Sequence, residues 1–339
     1  MNRASNDNNW ALWSPLDELS QVSTKEIIYS KGFLQSNPAT LFPSFSSFWQ
    51  SFFENYSFDI ALVDIKKSLT VPDNISHLYK GMIDREHIYV GYEDDEFSYL
   101  GNIVIPAGDE KIIEIIMEYM TRRLLASLSF SWTASENSII YFDGKTKESP
   151  KSEATIVLDL KVSGKRVNVY IMCPYTIVNT IDKLWKGQIQ ASSKYREVSE
   201  VSLGIQIAEL AVSPAMLNDY LSSGVRVGLE KIVNDNVYIT KDNKKFLKGR
   251  LVRSSDRFVV EILGGIDTVA EALEGMVNIS IQLGSVLVPG YVVSEISQKN
   301  VLWDTGLEIT NEVEVYADNK LSAHAVLASY DKQFAIEVK

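Results

Sequence analysis

Few side chains in this sequence are of types that do chemistry, and their spacing keeps them apart. Histidine occurs at His77, His87 and His324, and cysteine only at Cys173. A structural zinc site needs about four Cys or His ligands brought together, and these four are scattered singly. A lone cysteine excludes an intrachain disulfide. Cys173 follows an apolar run and precedes Pro174, so it reads as a buried, inert thiol. His77 and His87 stand ten apart with Asp84 and Glu86 nearby, in polar surroundings that suit surface residues better than a metal or acid–base site. Asp94-Asp95-Glu96 puts three carboxylates in a row; the expectation is a solvated turn between strands, not a cation cage. No Gly-x-x-x-x-Gly-Lys phosphate loop, no Gly-x-Gly-x-x-Gly after a strand and no Gly-x-Ser-x-Gly elbow occurs. No catalytic residue, metal ligand or cofactor-binding residue is assigned, and the chain is expected not to be an enzyme.

The elements carrying these residues form a mixed order of helix and strand. Residues 1–9 are polar and expected to be disordered. Trp10-Ala11-Leu12-Trp13-Ser14-Pro15-Leu16 is unusually aromatic, either a staple onto the first domain or a docking peptide for a partner. Phe45 to Tyr56 places Phe45, Phe48, Trp49, Phe52 and Phe53 at helical spacing after Pro43-Ser44. Phe58–Ile65, Glu86–Tyr92 and Phe97–Ile105 alternate like strands. Glu110–Leu128 predicts the longest helix, with Gly108-Asp109 as its N-cap. Ile139–Phe142 and Ala154–Val162 predict strands separated by the polar stretch Gly144–Ser152, and Gly164-Lys165 turns into Val167–Met172. Polar Lys183–Ser202 marks the boundary of this region.

The rest of the chain is one pattern written twice. At an offset of 76, Leu203–Leu263 aligns with Ile279–Lys339 over 61 positions without a gap, and eleven positions are identical. Ile205-Gln206-Ile207 falls on Ile281-Gln282-Leu283, Val225 on Val301, Val237 on Val313, and Phe258 on Phe334. The turn triplet Asp242-Asn243-Lys244 falls on Asp318-Asn319-Lys320. This is a duplicated small β domain. A unit of this size buries little surface alone and has strand edges to cover, so pairing of the two copies is expected. The first copy carries nine Lys/Arg against seven Asp/Glu and the second four Lys against eight Asp/Glu, signs that favour the mixed pair. Gly264 to Gly275 joins them, with a short helix predicted over Asp267–Leu273.

Composition narrows the classes further. The 339 residues are 45% hydrophobic with a net charge of −11. Such an acidic chain gains nothing from counterion release on nucleic acid and is poorly suited to anionic lipid. No signal peptide or 18-residue apolar span is visible, and a cytoplasmic location is expected.

Each repeat resembles the SpoA (surface presentation of antigens) domain. The resemblance rests on the opening strand Ile281-Gln282-Leu283-Gly284, the apolar pair Val293 and Ile296, and Gln298-Lys299-Asn300-Val301-Leu302-Trp303. It continues through the hairpin Val313–Leu321 and the last strand Phe334–Val338. The first repeat departs at Ala208, which stands where the second has Gly284. Two such domains behind an α+β domain look like the SctQ family (YscQ and SpaO are members), cytoplasmic-ring or sorting-platform components of type III secretion systems, similar to the flagellar proteins FliM and FliN. The layout so implied is a mixed α/β domain over 10–185, a linker over 186–202, SpoA domains at 203–263 and 279–339, and a linker at 264–278. The resemblance implies a scaffold whose SpoA domains pair in an intertwined fashion. Its pairing core is Ile205, Val225, Val237, Phe258, Ile281, Val301, Trp303, Val313 and Phe334. Implied partners are an SctL-type ATPase regulator, an SctK-type adaptor and a short C-terminal form of the chain, pairing through its second SpoA domain and started at Met276 or Met216. Membrane association would be indirect, through the secretion apparatus at the inner membrane. An apolar patch around Val326, Leu327 and Tyr330 is the implied partner contact, so Leu327→Asp is expected to leave the fold intact while losing the partner.

Two other readings stay open. A FliM-type switch protein of the flagellar motor would carry a response-regulator-binding segment near the N-terminus. Here Leu19-Ser20-Gln21 is followed by Val22-Ser23-Thr24-Lys25 before Glu26-Ile27, and FliM has one SpoA domain. A CheC-type phosphatase needs a glutamate with an asparagine three residues on. After Glu110, Glu114 and Glu118 those positions hold Ile113, Met117 and Thr121.

Overall fold

The computed structural model describes residues 10–42, 45, 59–133, 139–192, 200–232, 236–266, 275–330 and 333–339. The chain is α+β with mostly antiparallel sheets and divides into two compact units, 32–187 and a discontinuous one made of 1–31 with 188–339. Expectations for residues 1–9, for most of the aromatic stretch 45–56, for 193–199 and for a helix at 267–273 lie outside the described residues.

The chain opens with an arm. It comprises strand β1 (Trp10–Leu12), helix α1 (Pro15–Glu18) and helix α2 (Thr24–Ser30). Ser23 and Glu26 cap α2 reciprocally: Glu26 N donates to Ser23 Oγ at 3.2 Å, and Ser23 N donates to Glu26 Oε2 at 2.7 Å.

The unit 32–187 follows with α3 (Pro38–Leu41), β2 (Ile60–Ser68), β3 (His77–Ile83), β4 (Glu86–Tyr92), α4 (Asp94–Val104), α5 (Glu110–Thr133), β5 (Tyr141–Thr146), β6 (Ala154–Val162) and β7 (Lys165–Cys173), and α6 (Tyr175–Ser192) begins in it. Six strands form one sheet in the order β2-β6-β7-β4-β3-β5. Asp109 caps α5 as expected, its Oδ1 accepting from Ile112 N at 2.9 Å. Ser163 and Gly164, at φ 46° and 91°, make the tight β6–β7 turn. Phe45 is buried and stacks on Trp132 at 6.3 Å.

Four expectations for this region are corrected. Phe97–Ile105 is not a strand, because Asp94–Val104 forms α4. Asp94, Asp95 and Glu96 are its first turn, where carboxylates complement the helix dipole, not a turn between strands. Phe97, Leu100 and Gly101 face inward at helical spacing. Residues 186–192, expected as the start of the linker 186–202, continue α6. The strand expected at Ile139–Phe142 runs instead from Tyr141 to Thr146, taking in the start of the polar stretch.

The repeats comprise β8 (Val201–Val212), α7 (Leu217–Leu221), β9 (Arg226–Ile232), β10 (Asn236–Lys241), β11 (Lys244–Ser254) and β12 (Arg257–Gly265). The second copy has β13 (Val277–Val288), α8 (Gly290–Ile296), β14 (Leu302–Glu308), β15 (Glu312–Ala317), β16 (Lys320–Tyr330) and β17 (Gln333–Val338). The first four strand pairs share their bounds at the 76-residue offset, and β12 and β17 start in register. Both hairpin turns place Asp and Asn at positive φ, 50° and 59° in the first copy, 46° and 67° in the second. The strands form one sheet in the order β14-β12-β11-β10-β8-β13-β15-β16-β17-β9. That order reads the same from either end once each strand is replaced by its repeat partner.

Candidate interaction site

The axis of the repeat pair lies between β8 and β13, which run antiparallel from Val277↔Val212 to Val288↔Val201. Each repeat donates a strand across it. β9 of the first copy pairs with β17 of the second, and β14 of the second pairs with β12 of the first. The copies are therefore intertwined within one chain, and neither can leave without breaking a ladder of the other. At the axis Gln206 faces Gln282, the same position of the two repeats. Both are buried. Gln206 Nε2 donates to Glu209 Oε2 at 3.0 Å, whereas Gln282 Oε1 and Thr240 Oγ1 have no protein partner. The two Asp-Asn turns also meet, Asn243 Nδ2 donating to the Asn319 carbonyl at 3.0 Å.

Of the residues expected at the pairing core, Ile205, Val237, Phe258, Ile281, Val301, Trp303, Val313 and Phe334 are buried in one apolar cluster, with Val225 packed against it. Arg226 Nε reaches Glu337 Oε2 at 2.9 Å, an ion pair that joins the copies. Burial pushes the Lys231 ammonium down to about 8, helped by Lys245 and opposed by Glu209; its Nζ donates to the carbonyls of Ile207 and Asn236.

The arm closes this site. β1 lies antiparallel on β16, pairing Trp10↔Tyr330, Ala11↔Ser329 and Leu12↔Ala328. Ten residues on, Gln21 bridges Arg253 in the parallel sense. Val22 N donates to the Arg253 carbonyl at 2.8 Å, and Arg253 N to the Ser20 carbonyl at 2.9 Å. Ser329 and Arg253 are the same position of the two repeats. Strands related by a two-fold run in opposite directions, so one segment that keeps its direction across the axis must meet one copy antiparallel and the other parallel. Between these contacts Trp13 sits on the axis. Its ring stacks on Phe258 at 6.5 Å and meets Phe334 edge-on at 5.4 Å, again an equivalent pair. Arg226 covers Trp10 at 4.8 Å. The aromatic stretch thus staples to the repeats, not to the first domain.

Val326, Leu327 and Tyr330 fall on β16 where the arm lies. Tyr330 pairs with Trp10, and the Leu327 carbonyl accepts from Trp13 N at 3.4 Å. Leu327 is wholly buried in the shared core. The expectation for Leu327→Asp is therefore reversed: a carboxylate there has neither water nor a partner, so the change attacks the fold. Met216 is 39% exposed in a short turn, and Met276 immediately precedes β13.

The residues singled out for chemistry are dispersed. Cys173 is fully buried, and desolvation pushes its thiol far up, away from reactivity. His77 stacks on Phe97 at 3.6 Å, and its Nε2 lies 2.9 Å from Asp94 Oδ1, so it packs on the first turn of α4. His87 borders a shallow cleft of about 410 Å³ with Arg85, Lys151, Glu153 and Tyr175. His324 lies on β16. Among the described residues no group of three His, Cys, Asp or Glu could hold a metal, and no helix is long and apolar enough to cross a membrane. Helix α4, which the sequence did not suggest, adds no Glu-x-x-Asn, since Tyr99 stands three before Asn102.

No protein-family model matches the chain, and no curated protein matches it. Solved structures give partial likenesses. The FliM middle domain of Vibrio alginolyticus is 13% identical, covering 44% of this chain and 99% of that one at a TM-score of 0.34. The FliM middle domain of H. pylori is 12% identical, covering 48% and 99% at 0.34. FliY of Thermotoga maritima is 8% identical, covering 49% and 98% at 0.31. At that level none carries a conclusion about this chain, whose architecture stands on its own ladders.

Proposed function

We propose that the chain is a non-enzymatic scaffold of the cytoplasmic ring, or sorting platform, of a type III secretion system. The observation that supports this reading is the intertwined repeat pair. Much of the chain goes into one sheet whose two halves exchange strands. Its buried centre is apolar apart from a few polar side chains such as Gln206, Gln282 and Thr240. Such a body presents surfaces on which other chains can be held. Together with the SpoA-like pattern of both repeats, this suits a part that holds others in register. On this reading the partners are an SctL-type ATPase regulator, an SctK-type adaptor and a short C-terminal form begun at Met276. The location is cytoplasmic, at the secretion apparatus.

The test is affinity purification of the tagged chain from its own cells, with co-eluting proteins identified by mass spectrometry. Recovery of a secretion ATPase with its regulator supports the reading. Recovery of flagellar switch proteins or a response regulator transfers it to the motor, and recovery of neither removes it.

A further inference from the structure

The arm is a ligand that happens to be covalently attached. Its contacts are mainly main-chain pairing on β16 and β11 and burial of a few side chains. Trp13 and Leu19 enter the shared core of the repeats, and Ile27 packs with Val252 and Val259. Leu302 N donates to Ser30 Oγ at 2.9 Å, which fastens the far end of the arm to β14. None of these contacts depends on which chain supplies the arm. The arm leads directly into Gly32, and Phe33 N donates to Asp182 Oδ1 of α6 at 2.9 Å, so an arm that leaves its own copy carries residues 32–187 with it.

We propose that this surface takes the arm, residues 10–31, of a second copy of the chain. Trp13 of one copy is then seated between Phe258 and Phe334 of the next. The occupant follows from the structure, because the one sequence seen to fit the site is the arm itself, and every copy carries it. A copy that donates its arm leaves its own site open to receive another. Reciprocal exchange between two copies closes at a dimer, whereas passing the arm one way from copy to copy builds a ring or filament. This deepens the scaffold reading by naming how copies join. It rests on that reading for its use in the cell, but the exchange is measured on the purified chain alone, so either can fail without the other.

The test uses full-length chains. Trp13 N bonds to the Leu327 carbonyl, so Leu12 and Ala328 form a non-hydrogen-bonded pair, the kind whose Cβ atoms lie close across antiparallel strands. Leu12→Cys and Ala328→Cys chains carrying different tags are co-expressed and oxidised. Cys173, being buried, does not compete. Exchange gives a disulfide-linked two-chain species containing both tags. A Leu12→Cys/Ala328→Cys double variant that closes within one chain, while the co-expressed singles give no two-chain species, overturns the proposal. So does a double variant that forms no disulfide at all. A labelled peptide of residues 8–24 added to the unmodified chain needs no substitution. It is expected to bind, and ~10-fold or more tightly to full-length Trp13→Ala, whose own arm competes less. No binding to either chain at 100 µM, a concentration on the order of a tenth of a tethered arm's, also overturns it.

Discussion

Replacing Trp13 with alanine measures how much of the arm's attachment passes through the two-fold axis. The ring is 2% exposed and contacts Phe258 and Phe334 from opposite repeats. Truncating a buried tryptophan costs ~3–5 kcal/mol, and the edge-on contact with Phe334 is of a type that contributes ~0.5–1.5 kcal/mol of such a total. The loss is capped, because once the arm is free no further contact of Trp13 remains to be lost. The reporter should therefore be an amide at the far end of the arm, and Val22 N, bonded to the Arg253 carbonyl at 2.8 Å, is suitable. Native-state hydrogen exchange reads it without assuming that the two units unfold together. Trp13→Ala is expected to speed exchange at Val22 by ~100-fold, which corresponds to ~3 kcal/mol. Leu12→Ala removes a neighbour that is 63% exposed and should shift it by less than ~0.5 kcal/mol. A Trp13→Ala effect below about threefold at Val22 would refute the view that the arm is one ligand anchored at the axis.

Other outcomes turn on single contacts. A Cβ at Gly101 would lie 2.4 Å from Ile113 Cγ2, so Gly101→Ala should lower the thermal midpoint of the unit by ~1–3 kcal/mol in stability terms, with Ile113→Ala restoring part of it; equal loss in single and double variants would show that the helices do not meet there. Arg226→Glu should weaken the repeat pair by ~0.5–1 kcal/mol in urea unfolding, and adding Glu337→Arg should recover most of it unless the pair is fully screened. Lys231 has a folded value of about 8 against 10.5 unfolded. Between those values the unfolded chain binds a proton that the folded chain lacks, so stability should rise with pH over that window, by ~1–3 kcal/mol at most, and Lys231→Met should flatten the rise in denaturation midpoints measured from pH 7 to 10.5.

Much of the repeat region was legible because duplication supplies an internal control. A turn triplet and flanking apolar phases recurring at one offset leave little choice of register, and the observed strands keep that offset. Which strand pairs with which was not legible in the same way. Alternation along β9 or β14 marks a strand with one buried face but does not say whose sheet it joins, and pairing at home or across the axis buries the same residues. Helix α4 was missed for a related reason. Phe97, Tyr99 and Ile103 alternate well enough to suit a strand, and what decides for helix is tertiary. Gly101 permits close approach to Ile113, and the acidic first turn finds His77 beside it. The aromatic arm was visible as an anomaly, yet its place could not be read, because a segment that crosses a two-fold has no periodicity of its own to betray it.

The two-fold also constrains how the site can be used. Ser329 and Arg253 offer the same main-chain edge in opposite directions, and Phe258 and Phe334 offer the same ring from opposite sides. A segment entering from either end would find equivalent partners. What gives the arm one direction is then the asymmetry of the copies: Tyr330 where the first repeat has Ser254, and Arg226, over Trp10, where the second has Leu302. Sequence divergence between the repeats is in this sense directional. Two identical copies would pair as well but could not tell one end of a bound segment from the other.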